Sequence, residues 1–113
     1  MLQFHYTNKK AYHAVVSQPT WVFKAAQPPL PREHPFGAYF TDLPIDTPKL
    51  ALRLRIPKRK IEYFFAFEDA GDLHRITGGR GEHIFYSPVD YAVVEDRQGP
   101  HGDRIGAIEE KEQ

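Results

Sequence analysis

The hexapeptide LQFHYT, residues 2–7, alternates apolar and polar side chains, and this alternation predicts a β-strand at the start of the chain. Successive side chains of a strand point to opposite faces of the sheet. One face of this strand is therefore apolar, and the other carries Gln3, His5 and Thr7. The pattern brings two side chains with useful chemistry, those of His5 and Thr7, to the same side.

A short helix is predicted directly after this strand. Either Thr7 or Asn8 can cap a helix over roughly residues 8–18, and Pro19 ends it. The segment TWVFKA, residues 20–25, then predicts a short aromatic strand. A strand leading into a helix is thus the opening unit of the fold.

The middle of the chain predicts a loop followed by three extended segments. The proline-rich residues 27–36 predict an irregular loop, because proline removes backbone donors. Extended structure resumes in FGAYFTDL, residues 36–43, and IEYFFAFED, residues 61–69, predicts a buried strand. Between them, KLALRLRI, residues 49–56, predicts a strand with leucines on one face and cations on the other.

The last third of the chain predicts one long strand and a polar end. The sequence EHIFYSPVDYAVVED, residues 82–96, predicts a strand interrupted at Pro88. Beyond Gln98 the chain is polar, so we expect a single domain over residues 1–98 and a flexible tail over residues 99–113.

Composition limits the class of protein. The 113 residues suit one domain, the 15 basic and 15 acidic residues balance, and 41% of the chain is hydrophobic. The chain has no cysteine, which excludes a disulfide scaffold and cysteine chemistry. No apolar run approaches a signal peptide or a membrane span, so we expect no membrane partner. About six strands and little helix predict an α+β fold with mainly antiparallel sheets and one or two short helices.

Three motifs carry a family resemblance: HYT at residues 5–7, GAYFTD at residues 37–42 and GEHIFY at residues 81–86. They are similar to the H-G-[ST], G-x-Y-F-A-D and N-E-Y-I-V-Y strands of the ADP-ribosyltransferase superfamily, in its H-Y-E branch of poly-ADP-ribose polymerases and diphtheria-like toxins. The chain resembles more closely the small His-Tyr-Asp ADP-ribosyltransferase domains at the ends of bacterial polymorphic toxins. The resemblance spans residues 5–94 and implies a small ADP-ribosyltransferase-like fold with split sheets.

The resemblance also implies an NAD⁺ site. His5 and Thr7 would bind the riboses, and the backbone at Tyr6, where the family has glycine, would approach the nicotinamide amide. Tyr39 would stack on the nicotinamide ring, or Phe40 would take that place, since the second tyrosine of the polymerases is missing here.

The catalytic carboxylate has two candidates. Glu82 matches the polymerase motif, and Asp90 is the nearest downstream residue for a family aspartate. We favour Glu82, which would stabilise the ribosyl cation and activate the acceptor. Arg80, in the preceding TGGRG segment, either belongs to a turn or contacts the NAD⁺ phosphates or the target.

The resemblance predicts an NAD⁺-dependent ADP-ribosyltransferase with NAD⁺ as co-substrate and no metal. Its partners would be a macromolecular acceptor, protein or RNA, and a cognate immunity protein. It would act in a cytoplasm, delivered as the C-terminal domain of a secreted bacterial toxin. The alternatives are an NAD⁺ glycohydrolase on the same fold and a non-catalytic RNA- or protein-binding module.

Two further patterns have weaker implications. The six histidines lack metal-binding spacings. A cluster of cations is either a solvated face or a surface for nucleic acid or an acidic partner, and it consists of Lys49, Arg53, Arg55, Lys58, Arg59 and Lys60.

Overall fold

The computed structural model describes residues 1–26, 35–76 and 82–111. Within these ranges the chain forms eight strands and three helices, which confirms the predicted α+β class with antiparallel sheets. The strands are β1 (Leu2–Thr7), β2 (Trp21–Phe23), β3 (Ala38–Thr41), β4 (Tyr63–Glu68), β5 (His74–Arg75), β6 (Ile84–Ser87), β7 (Tyr91–Val93) and β8 (Gln98–Asp103). The helices are α1 (Lys9–Val16), α2 (Leu50–Leu54) and α3 (Arg104–Lys111), and 3₁₀ turns cover Lys58–Ile61 and Glu95–Arg97.

The strands form two antiparallel sheets. The larger sheet has the order β5-β6-β3-β1-β4-β8, and the smaller one pairs β2 with β7. Strand β1 is central, and all six of its residues are in register with β4, from Leu2 opposite Glu68 to Thr7 opposite Tyr63. The first strand predicted from sequence is therefore a middle strand of the main sheet.

The alternation of β1 separates two hydrophobic clusters. Phe4 and Tyr6 belong to a cluster on one face of the sheet, whereas Phe65, opposite His5, belongs to the cluster on the other face. Burying one such side chain contributes about 1.5–3 kcal/mol. The aromatic cluster on the His5 face is the larger one and consists of Tyr12, Trp21, Phe23, Ala38, Phe40, Phe65, Phe67, Phe85, Tyr91 and Val93.

Helix α1 begins where the sequence predicts. The side chain of Asn8 accepts a hydrogen bond from the backbone N–H of Ala11 at 2.9 Å, so Asn8 rather than Thr7 is the cap. Tyr12 is the buried residue of the helix, and its hydroxyl lies 2.7 Å from Nδ1 of His101 in β8. This contact joins the helix to β8, an edge strand of the main sheet.

Residues 49–56 form a helix and not the predicted strand. Leu50 is buried and Leu54 packs against the same cluster, whereas Leu52 is 68% exposed. Positions four apart share a helix face, so this leucine spacing suits a short helix as well as a strand. Five helical residues are too few to show a helical period in the sequence.

Both ends of α2 have an unusual backbone. Lys49 and Arg55 adopt left-handed conformations, with φ of 56° and 58°. Such a conformation is disfavoured for residues with a Cβ atom, by roughly 1–2 kcal/mol each. The chain therefore turns sharply on either side of this single helical turn.

The predicted long strand over residues 82–96 is two strands in different sheets. β6 pairs with β3 in the main sheet, and β7 pairs with β2. The chain turns at Pro88, where the Ser87 hydroxyl donates to the carbonyl of Val89 at 2.7 Å. The predicted interruption at Pro88 is correct, but it separates two sheets.

The predicted flexible tail is corrected, because the chain forms strand β8 and helix α3 up to Lys111. Strand β8 pairs with β4 and so satisfies the backbone groups along that edge of β4. Helix α3 is joined to the body by the Arg104 N–H, which donates to the Glu62 carbonyl at 2.9 Å, and by an ion pair between Lys111 and Asp46. Strand β8 is held mainly by backbone pairing and buries little apolar surface, so its polar sequence does not predict a strand.

None of the helices in the described ranges is long and apolar enough to cross a membrane.

Candidate active site

The three motif-bearing strands are neighbours in the main sheet. β1 carries His5, β3 carries Tyr39, and Glu82 lies two residues before β6; the three strands are adjacent in the order β6-β3-β1. Residues far apart in the sequence are thus brought to one region of one sheet.

Glycine is required at the start of the second motif. Gly37 pairs with Ala26 through two backbone hydrogen bonds of 2.9 and 3.0 Å. A Cβ atom on Gly37 would lie 2.6 Å from the carbonyl oxygen of Ser87, which is backbone and cannot easily move. The glycine allows β3 and β6 to approach closely just before Tyr39.

A side chain joins β1 to β3 at the proposed site. The backbone register of these strands pairs Phe4 with Thr41. One residue further along β1, Nδ1 of His5 lies 3.0 Å from the carbonyl oxygen of Tyr39. Because a carbonyl only accepts, Nδ1 must carry the proton of this hydrogen bond.

The surroundings of His5 determine its chemistry. Its ring lies against Phe23, with centroids 4.6 Å apart, and against Phe40, at 5.6 Å. Burial lowers the pKa of His5, and the bond to the Tyr39 carbonyl only partly opposes this effect. A neutral ring protonated on Nδ1 leaves Nε2 as an acceptor, so this ring cannot donate a hydrogen bond to a ribose hydroxyl.

The other NAD⁺-binding candidates divide between the two faces of the sheet. Thr7 is half-buried on the same face as His5. Phe40 is also on that face but is only 2% exposed within the aromatic cluster, so it cannot stack on a ligand. Tyr6 lies on the opposite face, where its hydroxyl donates to the Leu43 carbonyl at 2.7 Å and burial raises its pKa.

Tyr39 belongs to an aromatic row on the sheet face opposite His5. The rings of Tyr39 and Tyr86 stack with centroids 5.7 Å apart, and His74 follows at 5.3 Å from Tyr86. The Tyr39 hydroxyl donates to the Pro35 carbonyl, and burial raises the pKa of Tyr39 to about 12. Tyr39, Tyr86 and His74 define what we call the aromatic row.

Glu82 takes part in a chain of three polar side chains. Its Oε1 lies 3.3 Å from Nε2 of His83, and Nδ1 of His83 lies 2.9 Å from Oδ1 of Asp42. The contact between His83 and Asp42 is a hydrogen bond, in which the carboxylate accepts, and the contact between His83 and Glu82 is an electrostatic one. The Glu82 side chain is 74% exposed, whereas those of His83 and Asp42 are partly buried. The carboxylate is therefore held from one side and open on the other.

Thr41 fixes the backbone that carries Glu82, His83 and Asp42. Its hydroxyl donates to the His83 carbonyl at 2.7 Å and accepts from the N–H of Leu43 at 3.2 Å. This threonine ties the end of β3 to the residues before β6. His83 and Asp42 were not singled out from the sequence, although both stand inside the quoted motifs, next to Glu82 and at the end of GAYFTD.

Asp90 lies at the smaller sheet instead. Its carboxylate accepts from the backbone N–H of Ala25 at 2.8 Å and pairs with Lys24 at 3.3 Å. These two contacts lower its pKa, the Ala25 bond most strongly. Asp90 thus joins the chain after β2 to the start of β7, and its carboxylate is engaged by these two contacts, whereas that of Glu82 is largely exposed.

Two limits of the arrangement follow from the described residues. No hydrogen bond or ion pair joins Glu82 to His5 or Thr7 within residues 1–26, 35–76 and 82–111, and Arg80 lies outside them. In the same ranges no group of histidine, aspartate and glutamate side chains is arranged to hold a metal ion.

Comparison with known proteins finds no matching family model, no matching curated protein and no matching solved structure.

Proposed function

We propose that this protein is an NAD⁺-dependent ADP-ribosyltransferase that acts on a macromolecular acceptor. The observation that carries the proposal is the adjacency of β6, β3 and β1, which gathers the three motifs that resemble the superfamily. The aromatic row supplies rings on which the nicotinamide can stack, and Glu82 supplies a carboxylate to act on the ribose.

In this proposal the aromatic row binds the nicotinamide. Tyr39 and Tyr86 offer stacked, partly exposed rings on one sheet face. Stacking a flat cationic ring on them contributes about 0.5–1.5 kcal/mol beyond area burial. The Tyr39 hydroxyl is held by the Pro35 carbonyl, so the ring is oriented before NAD⁺ binds.

Glu82 acts on the ribose. The bond between the nicotinamide nitrogen and ribose C1′ breaks, and nicotinamide leaves with the electron pair. A nucleophile of the acceptor then bonds to C1′, and its proton passes to the carboxylate of Glu82. The same carboxylate stabilises the positive charge that develops on the ribose in between. His83 and Asp42 orient the carboxylate from the side away from solvent.

The test follows the two products separately. The protein is incubated with NAD⁺ labelled in its adenylate half and a bacterial lysate, and free nicotinamide and label on protein and on RNA are measured. Glu82→Gln is compared with Glu95→Gln, a matched change at an exposed glutamate of the 3₁₀ turn before β8. We expect nicotinamide release with label on one polymer, lost in Glu82→Gln and retained in Glu95→Gln.

Other outcomes would replace the proposal. Nicotinamide release without label on any polymer would assign an NAD⁺ glycohydrolase, with water as the acceptor at the open side of Glu82. Absence of both NAD⁺ binding and nicotinamide release would assign a non-catalytic binding module.

A further inference from the structure

A second surface of the molecule combines an apolar floor with a basic rim. Helix α2, the 3₁₀ turn at Lys58–Ile61 and the start of helix α3 surround a hollow of about 630 Å³. Its floor is aliphatic and consists of Leu50, Ala51, Leu52, Ile61 and Ile105. We call this surface the basic hollow.

Part of the floor is open to solvent. Leu52 is 68% exposed and Ile105 is 54% exposed, although both are large aliphatic residues. They belong to two different helices, α2 and α3, and line the same hollow. Exposed apolar groups grouped within a polar rim are typical of a site that another molecule covers.

The rim is positively charged. Lys49, Lys58 and Arg104 line the hollow, and Glu62 is the acidic residue beside them. The segment over residues 49–60 carries six cations, and none of them forms an ion pair with any residue in the described parts of the chain. Elsewhere, Lys24 pairs with Asp90 and Lys111 pairs with Asp46. The rim therefore offers unpaired positive charge beside apolar surface.

The backbone holds this arrangement in place. The left-handed conformations of Lys49 and Arg55 bracket α2, whose outer face carries Leu52. The Arg104 guanidinium is anchored because its Nε donates to the Ile45 carbonyl at 3.1 Å. The hollow is thus built from ordered elements, and strained residues border it.

We propose that the basic hollow docks an acidic segment of a partner protein. That segment would place one or two apolar side chains on the aliphatic floor and aspartate or glutamate side chains beside the rim cations. The lining contains no aromatic ring for a nucleic-acid base to stack on, which favours protein over RNA. This inference does not depend on the enzymatic activity proposed above.

The experiment uses a synthetic amphipathic peptide of leucine and glutamate at helical spacing as the probe. Its binding to the ¹⁵N-labelled protein is followed by chemical-shift changes. We expect the changes to map to α2, to the turn at Lys58–Ile61 and to the first turn of α3. A peptide of glutamate alone lacks the apolar side chains for the floor, and a peptide of leucine and lysine lacks the negative charge for the rim. Each should bind at least about tenfold more weakly.

Variants test the two halves of the surface. Lys49→Glu combined with Lys58→Glu should weaken binding about tenfold or more. The control, Lys9→Glu with Lys10→Glu, makes the same charge change at exposed positions of α1 and should leave binding unchanged. Leu52→Ser removes an exposed side chain, so it should weaken peptide binding while the thermal unfolding temperature is retained.

Four results would overturn the proposal. The first is shift changes that map outside the hollow, and the second is an equal loss of binding in both charge-reversal pairs. The third is tighter binding of single-stranded RNA at the same residues, which would assign the surface to nucleic acid. The fourth is a concentration-dependent dimer abolished by Leu52→Ser, which would assign the hollow to a second copy of the chain.

Discussion

The imidazole of His5 donates from Nδ1 to the carbonyl oxygen of Tyr39, 3.0 Å away, across 34 positions of sequence. The bond links two of the three motifs by a side chain where β1 and β3 lie next to each other. It also fixes the tautomer of His5, because the carbonyl can only accept. His5 therefore positions the strand that carries Tyr39, whatever contact its second nitrogen makes with a ligand.

His5 should make the stability of the protein depend on pH. Burial lowers its pKa in the folded state, whereas the unfolded chain titrates near the ordinary value of about 6.5. Below a pH of about 6.5 the unfolded state binds more protons than the folded state. The contribution of His5 to the free energy of unfolding is therefore fully present above this pH. It is lost as the pH falls toward the lowered pKa of the folded state. Thermal unfolding temperatures measured above and below pH 6.5 should therefore fall on acidification. His5→Asn should flatten this slope, and His13→Asn, at an exposed position of α1, should not. An unchanged slope in His5→Asn would contradict the assignment.

Glu82 should contribute to turnover and not to folding. Its side chain is 74% exposed, and its carboxylate contacts His83. Losing one preorganised electrostatic group costs about 2.7–4 kcal/mol of barrier, so Glu82→Gln should lower nicotinamide release by roughly 100- to 1000-fold. Circular dichroism should show the same unfolding temperature as the parent within error. A variant that keeps full activity would remove Glu82 from the mechanism.

Asp42 should act on Glu82 through His83. Asp42→Asn replaces a charge-assisted hydrogen bond to His83 by a neutral one. A difference of about 0.5–1.5 kcal/mol corresponds to a loss in kcat of roughly twofold to tenfold. KM for NAD⁺ should stay the same, because Asp42 orients the carboxylate rather than the nucleotide. Asp46→Asn, at an exposed ion pair with Lys111, serves as the control. A change in KM alone would show that Asp42 binds NAD⁺ directly.

Asp90 should matter for stability alone. Asp90→Ala removes the acceptor of the Ala25 N–H, so the unfolding temperature should fall. Asp90→Asn keeps an acceptor for that N–H, so its unfolding temperature should fall less. Because the pKa of Asp90 is lowered in the folded state, its contribution is present at neutral pH and is lost as the pH falls through that lowered value. Nicotinamide release per folded molecule should be unchanged. Complete loss of release in a folded Asp90→Ala variant would make Asp90 the catalytic carboxylate.

Two glycine substitutions should have opposite effects. A Cβ atom at Gly37 would lie 2.6 Å from the Ser87 carbonyl oxygen, so Gly37→Ala should destabilise by about 1–3 kcal/mol. In helix α3, a Cβ atom at Gly106 would lie 3.6 Å from Oδ1 of Asp103, an ordinary contact, and Gly106→Ala should stabilise by about 0.5–1 kcal/mol. Denaturant unfolding measures both changes. Equal shifts in the two variants would contradict the close approach of β3 and β6.

Much of the fold follows from local sequence patterns. The alternation of residues 2–7 predicts β1, and the apolar run in residues 61–69 predicts β4. A cap at either Thr7 or Asn8 predicts α1, and the structure confirms all three elements. In each case a buried face or a cap leaves a direct mark on the sequence. The α+β class followed from the same elements.

The errors occur where local patterns are ambiguous. The leucines of residues 49–56 fit a strand period and also place Leu50 and Leu54 on one helix face. Strand β8 buries little apolar surface and is held by backbone pairing to β4, which leaves no mark on the sequence.

Site geometry was less predictable still. Motif order named Glu82, but no local rule showed that His83 and Asp42 would contact it. The division of His5 and Tyr39 between two sheet faces depends on the relative register of β1 and β3. A tertiary relationship of this kind becomes visible only once the strands are paired.

The two outermost strands make the main sheet a poor template for further strands. At one side β5 has two residues, and at the other β8 contains Pro100, which follows Gly99 and has no N–H to donate. A strand from another molecule would find few backbone partners at either side. The polar sequence of β8 thus discourages edge-to-edge aggregation of a protein whose interior strands are rich in phenylalanine and tyrosine.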